Sequence, residues 1–352
     1  MSLQKPWLES AAPQTPGKTG SSPAPIPGPK DVLDISLSRY LKDTGQDHLF
    51  QAKILCEALD FLKEKGLVEA YLRGSFANGE ADEYSDIDLF LVVEPENLEP
   101  TYEAFSAYLK DKYSILVSCH DKLVKDYGGI GFMYLCGDSD RKMFQFDLYM
   151  AVKGVPPRVN LPNVPRVHAA DPAYCWIAEN RPKALPPCAQ AFIDKFSAGE
   201  TRDGKLEFLC NDLMVTLSIL KKHVARGQTA RALNDNNHAI GVCIEMLRTI
   251  FDDKSNHSSL YAGDKMIEAA QQSGNPRYAA LATALEEQML APVSQRKASD
   301  MFFIGAALVQ EAAPELHAKI SPALQAYNDL VVRNAALADR PRQAPPPPGL
   351  SV

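Results

Sequence analysis

Two aspartates, Asp86 and Asp88, stand at the start of the apolar run 87–93. Side chains alternate between the two faces of a strand, so both carboxylates are expected on the same face. Like charges this close repel each other unless a cation lies between them. Hard oxygen ligands suit Mg²⁺, which keeps several waters and shares its coordination with substrate phosphates. The pair therefore predicts a magnesium site.

A turn at Gly74-Ser75 precedes these aspartates and follows a strand-like segment that begins near residue 68. Glycine lets backbone N–H groups approach an anion closely, and a short helical turn after it adds its positive end. A phosphate-binding turn beside a magnesium site predicts a nucleoside triphosphate as the ligand.

The motif Gly74-Ser75, Gly79 and Ser85-Asp86-Ile87-Asp88 resembles the signature of the nucleotidyltransferase superfamily of the DNA polymerase β type. Within that superfamily the run 74–87 looks most like antibiotic-modifying nucleotidyltransferases of the lincosamide type. It also shares its spacing with the streptomycin/spectinomycin adenylyltransferases, which act on aminoglycosides. The resemblance covers residues 68–152.

This resemblance implies transfer of AMP from ATP to a hydroxyl of a small-molecule acceptor, with Mg²⁺ and release of pyrophosphate. An antibiotic is the acceptor that the closest motif suggests. Asp86 and Asp88 would hold the metal and act in catalysis. The residues expected to bind the nucleotide are Arg73, Gly74, Ser75 and Ser85.

A third carboxylate is expected from a later strand, because members of the superfamily have one beside the first two. Asp147 is the candidate, since it alternates with apolar residues in the strand-like run 143–152. It would complete the metal site or act as the general base, and the sequence does not choose between these roles. Asp138 and Asp140 compete for the position, although they fall in a turn.

Composition limits the class of protein. The chain has 352 residues, enough for two domains, and a formal net charge of −7. That charge disfavours a long nucleic acid and fits a small or cationic acceptor, for which the acidic loop 80–83 is a further hint. No membrane-spanning run and no secretory signal are found, so a cytoplasmic protein without a membrane partner is expected.

The expected fold class is α+β, with an N-terminal nucleotidyltransferase domain followed by an all-α domain. The first domain, residues 31–155, would contain a mixed β-sheet flanked by helices. The second, residues 166–338, would supply acceptor and triphosphate contacts. Proline-rich tails at residues 1–30 and 340–352 are expected to be disordered, and Pro156 to Pro165 form the connector.

Local patterns predict the individual elements. Thr101 is expected to cap a short helix. Strands are predicted at residues 114–119, 130–136 and 143–152. Helices are predicted at residues 46–65, 205–226, 229–251, 276–290, 292–313 and 314–338.

Basic residues gather where the helices predicted at 205–226 and 229–251 meet, and Lys221 is the one assigned here to the triphosphate. Lys222, Arg226 and Arg231 are further candidates, and a solvated helix face is the alternative for each. Two other functions stay open. One is modification of a protein or a specialised metabolite, and the other is a degenerate nucleotide-binding regulatory module. A homodimer is also open.

Overall fold

The computed structural model describes residues 36–121, 129–138, 142–154, 165–169, 185–196, 201–255 and 259–332. The tails at residues 1–30 and 340–352 lie outside these ranges. So do Asp140 and all of the proline connector except Pro165.

Strands in the described ranges form one mixed sheet. They are β1 (Glu69–Leu72), β2 (Ile87–Val93), β3 (Ser114–Asp121), β4 (Gly129–Gly137), β5 (Met143–Val152) and β6 (Arg166–Ala169). Their spatial order is β3-β4-β5-β2-β1-β6. β2 and β5 are parallel, whereas the other neighbouring pairs are antiparallel. The predicted mixed sheet is confirmed.

Helices of the N-terminal half cover one face of this sheet. They are α1 (Leu37–Asp43), α2 (Phe50–Lys63), α3 (Gly74–Asn78), α4 (Leu98–Lys112) and α5 (Pro187–Lys195). Apolar residues of α2, α4 and α5 share a buried cluster with the apolar side chains of β2, β4 and β5. The opposite face of β2 and β5 is therefore the one that carries Asp88 and Asp147.

Thr101 does not cap a helix, contrary to the sequence expectation. It lies inside α4 on the buried stripe of Leu98, Phe105 and Leu109. The 3.6-residue period explains this position, because residues three and four apart share one helix face.

The sheet extends beyond the expected domain boundary. β6 pairs antiparallel with β1 as the edge strand, and α5 contributes to the same core as α2 and α4. Residues 166–169 and 187–195 thus belong with the sheet rather than with the helical domain. Four residues after a proline are too few to show an alternating pattern.

The C-terminal half is helical, as predicted. It contains α6 (Arg202–Ala225), α7 (Thr229–Ile250), α8 (Ser259–Gln272), α9 (Pro276–Leu290), α10 (Gln295–Ala312) and α11 (Pro314–Tyr327), followed by a π-helical turn at Asn328–Val332. Side chains of Thr201, Asn275 and Ser294 cap α6, α9 and α10. No helix in the described ranges is long and apolar enough to cross a membrane.

The helical half packs on strands β3 and β4. Leu116, Val117 and Leu135 belong to the helical core, whereas Phe132 and Tyr134 belong to the cluster beneath the sheet. The two groups alternate along β4, so they lie on opposite faces. The helices therefore meet the sheet on its carboxylate-bearing face, one strand away from Asp147, and the α+β class is confirmed.

Candidate nucleotidyl-transfer site

Asp88 and Asp147 lie opposite each other on neighbouring parallel strands. Asp88 is the second residue of β2, and Asp147 is its registered partner on β5. Paired residues of adjacent strands project from the same face. Two carboxylates from distant parts of the sequence are thereby held side by side.

Asp86 precedes β2 by one residue and completes the group. Its carboxylate accepts a hydrogen bond from the ammonium of Lys222 on α6. The Asp86 side chain is 26 % exposed and that of Lys222 is 12 % exposed, so the pair is largely shielded from solvent. This ion pair joins the helical half to the carboxylate cluster.

The environment opposes ionisation of two of the three aspartates. Burial raises the pKa of Asp88 to about 6, and the charge of Asp86 adds to this, against the opposing charges of Arg73 and Lys222. Burial and the charges of Asp88 and Asp86 raise the pKa of Asp147 well above its usual range. Both carboxylates are shielded from water and close to other negative charges, and each of these conditions makes ionisation less favourable.

Gln145 orients Asp147 from two positions earlier on the same strand face. Its Nε2 donates to Oδ1 and Oδ2 of Asp147 at 2.9 and 3.0 Å. These hydrogen bonds lower the pKa of Asp147 and so act against burial. Gln145 has no counterpart in the sequence expectations, although its i, i+2 spacing from Asp147 could have pointed to it.

Gly74 brings the backbone against Asp88. It has a φ of +62°, and a Cβ at this position would overlap the Asp88 carboxylate. The backbone N–H of Arg73 donates to the Asp88 carbonyl at 3.1 Å. Only glycine supplies both the left-handed conformation and the space.

Arg73 and Ser75 flank this glycine at the edge of the site. The Arg73 guanidinium lies 4.7 Å from the centre of the Tyr149 ring, a cation–π contact beside the carboxylates. Ser75 is half-buried at the start of α3, and its hydroxyl makes no hydrogen bond to any residue in the described part of the chain. Both side chains therefore lie next to Gly74, the residue whose backbone approaches the Asp88 carboxylate.

Ser85 is buried in the loop before β2. Its Oγ accepts a hydrogen bond from the Asp82 N–H at 2.9 Å and another from Arg226 at 3.2 Å. Gln51 on α2 donates to the carbonyls of Glu83 and Ser85. The hydroxyl expected at the nucleotide therefore holds the loop that leads to Asp86.

Lys221 lies away from the carboxylates, contrary to the sequence expectation. Its ammonium donates to the Ser299 hydroxyl at 3.1 Å and to the Val331 carbonyl at 3.0 Å, inside the helical half. Lys222 takes the position facing Asp86. Adjacent residues of a helix point about 100° apart, so only one of them can face the sheet.

Arg226 lies one helical turn after Lys222 and also reaches the N-terminal half. Its Nε donates to Asp82 Oδ2 at 2.9 Å, and its Nη2 donates to the other carboxylate oxygen. Asp82 is therefore paired within the chain, which removes part of the charge expected to attract a cationic acceptor. The basic residues of α6 act here as contacts between the two halves.

A cavity of about 70 Å³ lies behind Asp86. The polar residues lining it include Gln51, Ser85, Gln145, Ser218 and Lys222. The Oε1 atoms of Gln51 and Gln145 are buried and have no hydrogen-bond partner among the described residues. Both amide groups are oriented by their Nε2 hydrogen bonds, so the acceptors left over are carbonyl oxygens.

The aspartates have the donor chemistry of a magnesium site. Three carboxylates supply the hard oxygen ligands that Mg²⁺ prefers, and a cation would offset the burial and the mutual repulsion that raise the pKa of Asp88 and Asp147. Within the part of the chain that the structure describes, no three acidic, histidine or cysteine side chains, these aspartates included, are placed to hold a metal ion together. Instead, the Asp86 carboxylate is paired with the Lys222 ammonium.

Residues 55–130 match the family model of the nucleotidyltransferase domain. The match includes Gly74, Asp86 and Asp88, whereas Asp147 lies beyond it. No curated protein matches the chain. The matched segment lies in the sheet-bearing half of the molecule, and it supports nucleotidyl transfer as the general activity.

Proposed function

We propose that this enzyme transfers AMP from ATP to a hydroxyl of a small-molecule acceptor, in a magnesium-dependent reaction that releases pyrophosphate. The pairing of Asp88 with Asp147 inside a nucleotidyltransferase fold is the observation that supports this best. A cleft between the sheet and α6 is where the reaction would take place.

Asp86, Asp88 and Asp147 would hold the metal in this proposal. Bound there, Mg²⁺ would neutralise charge on the attacking and leaving oxygens. Arg73 and Ser75 would bind the phosphates at the turn, where Gly74 brings the backbone close. These groups position an in-line displacement rather than form a covalent intermediate.

The chemical step balances without another reactant. The oxygen of the acceptor hydroxyl bonds to the α-phosphorus of ATP, and the bond to the bridging oxygen breaks. Pyrophosphate leaves with that electron pair. Asp147 would take the hydroxyl proton, since its carboxylate faces Asp88 across the strand pair and is oriented by Gln145.

The proposed class of acceptor follows from the net charge of the chain and from the sequence motif at residues 74–88. A net charge of −7 favours a small or cationic molecule over a long nucleic acid. Antibiotics carrying free hydroxyls are the first group to test. Proteins and specialised metabolites form the second group.

Transfer of label from α-labelled ATP, together with pyrophosphate release, tests the proposal across a panel of acceptors. Asp88→Asn should lose at least about a hundredfold in rate, because it removes a charge from the metal site. Asp138→Asn is the matched control, since Asp138 accepts a hydrogen bond from the Lys142 N–H in a turn outside the site. Equal activity in the folded Asp88→Asn variant would overturn the assignment.

A further inference from the structure

Lys222 is placed to act on the carboxylate cluster. Its ammonium pairs with Asp86 across 136 residues of sequence, and only 12 % of its side chain is exposed. The same charge lowers the pKa of both Asp88 and Asp147. Lys222 is therefore a protein-borne cation that offsets the charge of all three aspartates.

Arg226 holds the helix that carries Lys222. Its guanidinium donates hydrogen bonds to the side chains of Asp82 and Ser85 in the loop before β2. This contact does not involve the Asp86 carboxylate, so it can persist when Lys222 changes its partner. The α6 backbone would then stay in place while one side chain moves.

A second set of hydrogen-bond acceptors lines the same cavity as Lys222. The cavity of about 70 Å³ that Lys222 lines together with Asp86 is also lined by Gln51 and Gln145, whose buried Oε1 atoms lack a partner in the described ranges. Gln51 is 1 % exposed and Gln145 is 5 % exposed. Buried acceptors of this kind call for a donor, and an ammonium has three.

We propose that Lys222 is an exchangeable counter-ion: it holds Asp86 in the metal-free enzyme and moves to the carbonyl oxygens of Gln51 and Gln145 when a divalent cation binds the aspartates. The inference rests on the proposed metal-binding role of Asp86, Asp88 and Asp147. Lys222 thus competes with the metal for Asp86 and weakens metal binding in the empty enzyme.

Mn²⁺ binding to the nucleotide-free protein, followed by electron paramagnetic resonance, tests the exchange without relying on activity. Lys222→Met should bind Mn²⁺ about five- to tenfold more tightly than the unmodified protein, because the competing charge is gone. Lys205→Met is the control, since Lys205 lies on the same helix and pairs with Glu245 outside the site. It should leave the affinity unchanged.

Two variants distinguish a failure of the proposed metal site from a failure of the proposed Lys222 exchange. If Asp88→Asn binds Mn²⁺ as well as the unmodified protein does, the metal site itself is wrong. If Asp88→Asn loses binding but Lys222→Met binds equally or more weakly, the metal site stands and the exchange is overturned. Lys222→Gln provides a second, polar substitution should the methionine variant fold poorly by circular dichroism, and it should also bind more tightly.

The new position of the ammonium is tested by a crystal structure with Mg²⁺ and a non-hydrolysable ATP analogue. The Lys222 ammonium should lie within hydrogen-bonding distance of Gln51 Oε1 or Gln145 Oε1. An ammonium that still contacts Asp86, or that contacts only the nucleotide, would overturn the proposed exchange.

Discussion

Asp88 and Asp147 face each other across the parallel pair β2 and β5, and the pKa of both is raised by burial and by neighbouring negative charge. Their arrangement costs the folded protein free energy as long as no cation neutralises them. Such a cost is common at sites that bind a metal or carry out catalysis. Stability and function therefore make opposite demands on these two positions.

Replacing Asp88 by asparagine should stabilise the metal-free protein above pH 6. The pKa of Asp88 is raised to about 6, so between pH 4 and 6 the folded state keeps a proton that the unfolded state releases. The free energy of unfolding then falls as pH rises through this window, and the penalty is complete above it. Asp88→Asn should be more stable by about 3 kcal/mol at pH 7.5 and nearly equal at pH 4.

Urea unfolding with a chelator at the two pH values measures this difference. Asp138→Asn should track the unmodified protein at both, because no buried carboxylate is removed. An Asp88→Asn variant that is less stable at pH 7.5 would show that the carboxylate is satisfied in the empty enzyme.

Gly74 should tolerate no side chain. Alanine there must adopt a φ of +62° and push the Asp88 carboxylate aside, which we expect to cost about 3 kcal/mol and to abolish transfer. Gly66 is the matched control, with a φ of +78° and no atom of the described residues within 4 Å of where its Cβ would lie. Gly66→Ala should cost only about 1 kcal/mol and leave activity intact.

Comparison of the urea midpoints of the two variants separates conformational strain from the clash. Equal losses of stability would mean that the Asp88 side chain simply rotates away from residue 74.

The pair of carboxylates on β2 could be read from sequence because its pattern is local. Asp86 and Asp88 lie two positions apart at the start of a strand of seven residues, and alternation predicts their common face. Asp147 required only one more strand with a clear apolar period. Its partner Gln145 was missed, because the i, i+2 spacing places the two side chains on one face but does not show that they are hydrogen-bonded.

The basic residues could not be assigned from sequence in the same way. Lys221 and Lys222 are adjacent, and the helical period alone does not say which face of α6 meets the sheet. That choice depends on how the helical half packs against β3 and β4. For the same reason β6 was missed, since four residues become a strand only through their pairing with β1.

Gln145 should tune the pH dependence of transfer through Asp147. Gln145→Met removes both hydrogen bonds to the carboxylate, and their loss should raise the pKa of Asp147 further. A larger fraction of Asp147 is then protonated at a given pH. We expect the acidic limb of the rate profile to move to higher pH, with a loss of about tenfold or more near neutrality.

The profile of Ser218→Ala is the comparison, because Ser218 lines the same cavity and donates to the Met214 carbonyl. In Ser218→Ala the rate should fall on the acid side of the profile at the same pH as in the unmodified enzyme. A Gln145→Met enzyme with lower activity but an unmoved limb would argue against Asp147 as the base.

Arg226 and Asp82 should couple the two halves of the molecule. Arg226 reaches both oxygens of Asp82, but the Asp82 side chain is 46 % exposed, so solvent screens the pair and limits its contribution. A double-mutant cycle of Arg226→Ala and Asp82→Ala should therefore give a coupling of about 1 kcal/mol.

The pH and salt dependence of that coupling identify its source. Burial opposes ionisation of Asp82, but hydrogen bonds from Arg226 and from the Tyr84 N–H outweigh it and hold the pKa of Asp82 below its usual value. A lowered carboxyl pKa stabilises the fold above the usual value near 4, and this stability is lost as pH falls through the lower folded value. The coupling should accordingly shrink in acid and in high salt, as urea unfolding of the four proteins would show.

Arg231→Ala is the control, because Arg231 lies at an exposed position at the start of α7. This substitution should change neither the pH dependence nor the salt dependence of the coupling. A coupling that persists in acid would mean that the hydrogen bonds between Arg226 and Asp82, rather than the charge of the carboxylate, join the two side chains.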